Sequence, residues 1–249
     1  MDKTKGAIVL ALVKVTNLRK VYKTGELEYE ALKGMNFEVE AGDMFMILGP
    51  SGSGKTTLLN CLSGIDDPTA GSILINNVDI AKLSDDEKTK FRAENMGFVF
   101  QAYNLIDVLT AKENVALPLL ARGIPEKEAN EKAIEVLRAH GLEHVVNKFP
   151  SQISGGERQR VAVSRALAGN PKIIWADEPT GALDTKTSFM VMDFMKELNE
   201  KNHQTFVIVT HDEKIVKYAS AVLRIDSGQI VSFERIKKTK EPVFEEEKW

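Results

Sequence analysis

The sequence predicts an α/β fold: a mixed sheet with helices on both faces, an antiparallel β subdomain and an inserted helical subdomain. Three observations predict it. Four short apolar runs each end in polar residues, as parallel strands do at one edge of a sheet. Residues 8–48 alternate strands and turns, and residues 102–166 show helical patterns without a strand signal. We expect a single domain over 1–249, with its core at 1–101 and 167–233, the helical subdomain at 102–166 and a charged tail at 234–249.

The composition is that of an ordinary globular protein. The formal net charge is -3, which argues against nucleic-acid binding through bulk positive charge. The single cysteine, Cys61, excludes an intrachain disulfide and favours a reducing compartment. The apolar run at residues 7–13 is too short to span a bilayer, and we interpret it as the start of an edge strand. We therefore expect a cytoplasmic protein whose membrane role, if any, depends on a partner chain.

The first part of the chain is predicted to form strands. Residues 23–26 form a turn, and residues 35–40 alternate apolar and polar side chains as a half-exposed antiparallel strand does. Tyr22 lies at the end of the first strand region. Its ring could stack on a nucleotide base, or it could simply pack on its own sheet, as strand aromatics usually do.

Residues 49–57 read GPSGSGKTT and fit the phosphate-loop pattern G-x-x-x-x-G-K-[ST] between a predicted strand and a predicted helix. Glycines allow several N–H groups to point at one phosphate, and the helix N-terminus adds partial positive charge. We expect Lys55 to reach the β- and γ-phosphates and the Thr56 hydroxyl to ligate Mg²⁺. This predicts a P-loop NTPase core. The nucleotide-binding residues predicted in this loop are Gly49, Ser51, Gly52, Ser53, Gly54, Lys55, Thr56 and Thr57.

Several signals place the helices that follow. Capping-box patterns at residues 84–87 and 110–113 open two helices. Pro125 suits the first turn of another, which should run to about Gly141. A further helix should begin near Ser154.

Polar residues at four strand ends should converge on the γ-phosphate. They are Gly49, Gln101, Asp177 with Glu178, and His211. In an open α/β sheet, the carboxyl ends of parallel strands line the ligand crevice. We expect Asp177 to hold Mg²⁺ through water and Glu178 to orient or deprotonate the attacking water, although such a pair can also cap a helix. His211 can donate to the γ-phosphate and stabilise transition-state charge, although a lone histidine is usually structural.

Residues 154–157, Ser-Gly-Gly-Glu, have the features of a second anion site. Ser154 is a natural N-cap, and Gly155 and Gly156 would let a phosphate approach free N–H groups. The alternative is a capped helix start with a flexible hinge. Since the chain already has one phosphate loop, we expect this element, with Glu157, to complete the phosphate site of a second copy of the chain.

Together these motifs resemble the ATP-binding cassette (ABC) ATPase family over residues 13–232. The resemblance implies a RecA-like core that uses ATP and Mg²⁺, and a head-to-tail dimer around two ATP that drives a membrane permease. By resemblance, Tyr22 is similar to the adenine-stacking aromatic. Gln101 is similar to the residue that couples Mg²⁺ and water to the transport subunit, and Asp184 belongs to a loop that senses the opposite site. Two mild departures are Ile153 in place of leucine and Glu157 in place of glutamine.

Residues 98–101, 104–105, 113–119 and 149–152 are similar to a subgroup that powers lipoprotein release and macrolide or peptide export. The implied function is the ATPase subunit of a transporter, attached to the inner face of the cell membrane through its permease. A soluble cassette ATPase acting on DNA or ribosomes would usually have two cassettes or a long coiled-coil insertion, and the sequence shows neither. A monomeric kinase or GTPase would leave residues 154–156 unexplained.

Residues 101–108 are the predicted docking surface for the permease. Aromatic and aliphatic side chains follow Gln101 directly in what should be a surface connection, which suggests a buried contact. Tyr103 and Leu105 are the expected contact residues. The alternative is that they pack beneath the helical subdomain.

Overall fold

The computed structural model describes residues 11–236, which form two sheets surrounded by helices. The strands are β1 (Ala11–Thr24), β2 (Leu27–Glu40), β3 (Met44–Leu48), β4 (Ala70–Ile75), β5 (Val78–Asp79), β6 (Met96–Phe100), β7 (Ile173–Asp177), β8 (Thr205–Thr210), β9 (Ala221–Asp226) and β10 (Gln229–Arg235). The α-helices are α1 (Lys55–Leu62), α2 (Asp85–Asn95), α3 (Ala111–Ala121), α4 (Glu126–Ala139), α5 (Gly155–Leu167) and α6 (Thr185–Asn202). Short 3₁₀ turns occur at Ile80–Lys82, Glu143–Val145, Pro150–Gln152 and Glu213–Tyr218.

The six-stranded sheet is the core of the molecule, with the order β10-β9-β3-β8-β7-β6. Strands β9, β3, β8, β7 and β6 are parallel, and only β10 is antiparallel to its neighbour. Successive side chains of a strand point to opposite faces, so β3 places Phe45 and Ile47 in one hydrophobic cluster and Met44 and Met46 in another. The first cluster packs against α1, and the second packs against α5 and α6. The prediction of four parallel neighbouring strands is confirmed.

The second sheet is antiparallel, with the order β2-β1-β4-β5. The alternation of strands and turns over residues 8–48 predicted this antiparallel subdomain. The interpretation of residues 7–13 as the start of an edge strand is wrong for the described part, residues 11–13. Strand β1 lies between two neighbours, and Val13 pairs with both Val39 and Ile75. The second neighbour, β4, is distant in the sequence, so the local pattern could not reveal this pairing.

The helical segment has its own hydrophobic cluster, built by α3, α4 and the first half of α5. Helix α5 also belongs to the core: Val161 lies in the helical cluster, whereas Val163 and Ala166 pack beneath the sheet. A Cβ at Gly97 in β6 would lie 2.4 Å from the carbonyl oxygen of Ala166, so a glycine is required where strand and helix meet. The expected boundary at residue 166 therefore falls inside a helix that joins both parts.

The described C-terminal residues do not match the predicted start of the tail. Strand β10 continues to Arg235, whose guanidinium lies 3.0 Å from carboxylate oxygens of both Glu40 and Asp43. The tail therefore does not start at residue 234, and residues 237–249 lie outside the described residues. Within residues 11–236, no helix combines the length and apolar character that crossing a membrane requires.

Candidate nucleotide site

The predicted strand ends meet at one cavity of about 720 Å³. Strands β3, β6, β7 and β8 end along the same edge of the sheet, as parallel neighbours must. Three of the residues that follow them, Gln101, Glu178 and His211, line the cavity together with the phosphate loop. The remaining cavity residues are Tyr29, Ala31, Pro50, Ser51, Gly52, Gly54, Lys55, Thr56 and Thr57.

The phosphate loop is held in shape by contacts within the chain. Gly54 is the N-cap of α1 at φ 99°, and a Cβ there would lie 2.9 Å from the carbonyl oxygen of Ala31. Lys55 Nζ donates to the carbonyl oxygens of Gly49 and Pro50, both at 2.8 Å. The ammonium group thus lies across the loop, where phosphate oxygens could replace those carbonyls.

Asp177 and Thr56 form a pair suited to Mg²⁺. The Thr56 hydroxyl donates to Asp177 Oδ2 at 3.5 Å, and the buried Asp177 Oδ1 has no hydrogen-bond partner among the described residues. Burial, and then the charge of Glu178, raise the pKa of Asp177. Among residues 11–236, no cluster of three or more His, Cys, Asp or Glu side chains could hold a metal alone. The donors present therefore fit a cation that takes its other ligands from ATP and water.

Glu178 is aimed by an unusual backbone conformation. Its φ is 47°, in the left-handed region that costs free energy for a residue other than glycine and that clusters at functional sites. Its N–H donates to the carbonyl oxygen of Val209 in β8, which fixes this conformation. Its carboxylate contacts His211 Nδ1 at 2.8 Å. His211 therefore touches Glu178 directly, a contact that the sequence did not predict. Gln101 packs against Gly181, just after Glu178.

The cavity contains an aromatic residue that the sequence analysis missed. Tyr29 lines the cavity, whereas Tyr22 does not. The Tyr22 hydroxyl donates to Asp66 at 2.7 Å, and the Lys20 ammonium lies 4.8 Å from the centroid of the Tyr22 ring. Tyr22 and Tyr29 are directly opposite each other in the β1–β2 pair, so their side chains share one face of the sheet. The hairpin turn at Gly25 was the available signal, because it places these two positions opposite each other.

Residues 154–157 lie outside the phosphate-loop cavity. Ser154 caps α5, and residues 154–157 line a separate cavity of about 390 Å³ together with Tyr103 and Asp184. None of them lines the phosphate-loop cavity. The phosphate loop and residues 154–157 thus line different cavities within one chain.

Comparison with known proteins identifies the family. The family model described as "ABC transporter" matches residues 32–181, from β2 through the phosphate loop, α5 and β7 to Gly181. This chain belongs to the ABC transporter family. The ABC ATPase shares 44% identity over 230 residues with the uncharacterized ABC transporter ATP-binding protein MJ0796 of Methanocaldococcus jannaschii, covering 91% of this chain and 98% of that protein. It shares 46% identity over 221 residues with the bacitracin export ATP-binding protein BceA of Halalkalibacterium halodurans, covering 89% and 87%.

Solved structures agree with this assignment. The dimeric post-hydrolysis structure of the MJ0796 cassette bound to ADP and Pi has a TM-score of 0.81 and 44% identity, covering 90% of this chain and 99% of that one. CbiO1 from Clostridium perfringens, part of the transporter complex cbiONQ, has a TM-score of 0.81 at 30% identity. The predicted family, fold class, ATPase activity and use of ATP with Mg²⁺ are confirmed. The alternative of a soluble cassette acting on DNA or ribosomes is not favoured.

Proposed function

We propose that two copies of this ABC ATPase close head to tail around two ATP molecules, and that closure drives a membrane permease in export or in extraction of a substrate from the cell envelope. One observation carries the dimer: the two predicted anion sites, the phosphate loop and residues 154–157, line separate cavities within one chain. A second copy turned by a two-fold axis would bring each to the other. The dimeric MJ0796 cassette and the export role in the name of BceA support the proposal.

In this dimer, each residue near the phosphates has a separate task. A bound Mg²⁺ would stabilise negative charge on the phosphate oxygens, with Thr56 and Asp177 as its protein donors. Lys55 binds the β- and γ-phosphates. Glu178 holds the attacking water and accepts its proton. Because the Glu178 carboxylate only accepts, His211 donates to it through Nδ1, and Nε2 would donate to the γ-phosphate when the ring carries a proton on both nitrogens.

We place the adenine against Tyr29 as well as Tyr22. Stacking of a base on an aromatic ring is worth about 1–3 kcal/mol, so Tyr29→Ala should raise the KM for ATP about tenfold and leave kcat within about twofold. Tyr22→Ala should also raise KM more than it lowers kcat. Steady-state ATPase kinetics measure both. Tyr29→Phe and Tyr22→Phe are the controls, because each keeps its ring. An unchanged KM in Tyr29→Ala would leave Tyr22 as the only candidate for stacking.

The permease would dock at the junction between the helical segment and the core. A groove of about 370 Å³ lies there, lined by residues that include Phe98, Phe100, Asn104, Pro118 and Arg165. Its lining is mostly apolar and includes Arg92 and Arg165, which suits a short amphipathic helix. The groove is lined by β6 residues as far as Phe100, one residue before Gln101, so a docked helix would touch the segment that leads into the nucleotide site.

Tyr103 and Leu105, the expected contact residues, are half-buried by packing within the chain. The Tyr103 hydroxyl lies against Gly155, and the Arg158 guanidinium lies 5.9 Å from the centroid of the Tyr103 ring. Leu105 packs against the hydrophobic cluster of the helical segment. The exposed apolar side chains of this connection are Ile106 and Val108, which are 44% and 79% exposed.

Changing Ile106 and Val108 together to glutamate tests the permease proposal. Because the two side chains are exposed, basal ATPase activity should stay within about twofold, while co-purification with the permease and transport should be lost. The matched control changes Val78 and Val231, which are exposed and do not line the groove, to glutamate. Retained co-purification would show that the permease does not depend on this exposed connection beside the groove. Loss of basal ATPase would show that Ile106 and Val108 support the fold.

A further inference from the structure

Glu157 and Ser154 are joined by a reciprocal capping box at the start of α5. The backbone N–H and the hydroxyl of Ser154 both donate to Glu157 Oε2, at 2.9 Å and 2.7 Å, and the N–H of Glu157 donates to Ser154 Oγ at 3.3 Å. A hydroxyl has one proton to donate. Ser154 must therefore release Glu157 before it can donate to a phosphate of the partner copy.

The Glu157 carboxylate also places a full negative charge beside that phosphate. The hydrogen bonds from the side chain and backbone of Ser154, followed by the one from His144, lower the pKa of Glu157 to about 2. A helix N-terminus offers the equivalent of about half a positive charge, which one carboxylate more than offsets. An anion approaching α5 would thus meet a repelling group unless that group is held and partly neutralised.

His144 is the residue that holds it. His144 lies in the 3₁₀ turn Glu143–Val145, which is anchored by the buried Val145. Its Nε2 is 2.7 Å from Glu157 Oε1, the carboxylate oxygen that Ser154 does not use. Since a carboxylate only accepts hydrogen bonds, His144 is the donor. The His144 and Glu157 side chains are 57% and 28% exposed, so the pair lies at the surface beside the proposed dimer contact.

We propose that His144 is a positioning residue for the second anion site: it fixes Glu157 through Oε1, withdraws charge from the carboxylate and so lets Ser154 turn to the γ-phosphate of the partner copy. This inference rests on the proposed head-to-tail dimer. Specifically, His144 affects dimer formation only because Glu157 is charged. A glutamine at position 157 would have no charge to position, and His144 would then have no effect on dimer formation.

A double-mutant cycle tests this claim. All variants carry Glu178→Gln to slow turnover, and the readout is the ATP concentration that gives half-maximal dimer by gel filtration with light scattering. His144→Met removes the donor at similar size, and His144→Gln keeps a donor. We expect His144→Met to raise this ATP concentration about fivefold to tenfold, because it removes one partly exposed hydrogen bond to a charged group. We expect His144→Gln to give the same ATP concentration as the parent protein. Combined with Glu157→Gln, His144→Met should change it less than about twofold.

The outcomes separate this inference from the proposed function. An equal shift by His144→Met with and without Glu157→Gln, or no shift in either, would overturn the positioning role while leaving the dimer intact. Failure of the parent Glu178→Gln protein to dimerise with ATP would instead overturn the proposed dimer, and this inference with it. ATP binding by the monomer, measured for each variant, should be unchanged, because His144 lies away from the phosphate-loop cavity.

Discussion

Replacing Glu178 by glutamine is expected to slow ATP turnover by about a hundredfold to ten-thousandfold while ATP still binds. The amide keeps the size of the side chain and can still contact His211, but it cannot accept a proton from water. The left-handed backbone at Glu178 is held by the bond of its N–H to Val209, which the substitution does not touch. The protein should therefore stay folded and should accumulate as an ATP-bound dimer.

Single-turnover hydrolysis and gel filtration with ATP and Mg²⁺ measure these two effects. Glu213→Gln is the matched control: Glu213 is an exposed carboxylate shortly after the end of β8, where it pairs with Arg224, and its loss should leave turnover unchanged. Hydrolysis near the wild-type rate in Glu178→Gln would remove Glu178 from the reaction and make Asp177 or His211 the group to test next.

Local patterns predicted most of the fold because the relevant signals are short. The apolar runs that became β3, β7 and β8 are buried on both faces, whereas β6 is half-buried on the face that carries Phe98 and Phe100, and each run ends in polar residues at the nucleotide site. The caps of α2, α3 and α5 were also readable as pairs of residues three positions apart. The place of β1 in its sheet was not readable, because it depends on pairing with the distant β4.

The parts of the site that escaped prediction depend on contacts between distant residues. Tyr29 has the sequence context of any strand aromatic, and only its pairing opposite Tyr22 brings it to the cavity. His144 lies 13 residues from Glu157, with a turn and a helix start between them, so no periodic pattern links the two. The contact of His211 with Glu178 likewise requires β7 and β8 to be neighbours. Residue types predicted what the site contains, and tertiary pairing determined which groups touch.

Replacing Ser154 by arginine is expected to abolish hydrolysis while ATP binding by the monomer stays close to normal. The long side chain would fill the space above Gly155 and Gly156, where the phosphate of the partner copy should enter. Loss of an N-cap costs only about 1 kcal/mol, so α5 should persist. Ser84→Arg is a matched control: Ser84 caps α2 in the same kind of box with Glu87, at 2.7 Å between its hydroxyl and the carboxylate, but far from any proposed anion.

Mixing Ser154→Arg with Lys55→Ala distinguishes a shared site from a site within one chain. A mixed dimer would contain one complete site, made of Lys55 from the first protein and Ser154 from the second, and one site with both defects. With free exchange, half of the dimers are mixed, so about a quarter of wild-type activity should return if the two sites act independently. ATPase assays across mixing ratios should show a maximum near equal amounts.

No recovery of activity would mean that one site hydrolyses ATP only when the other site is also intact. In that case, Ser154→Arg mixed with the wild-type protein should inhibit the wild-type activity. Loss of ATP binding by the Ser154→Arg monomer would contradict the shared site, because Ser154 would then belong to the nucleotide cavity of its own chain.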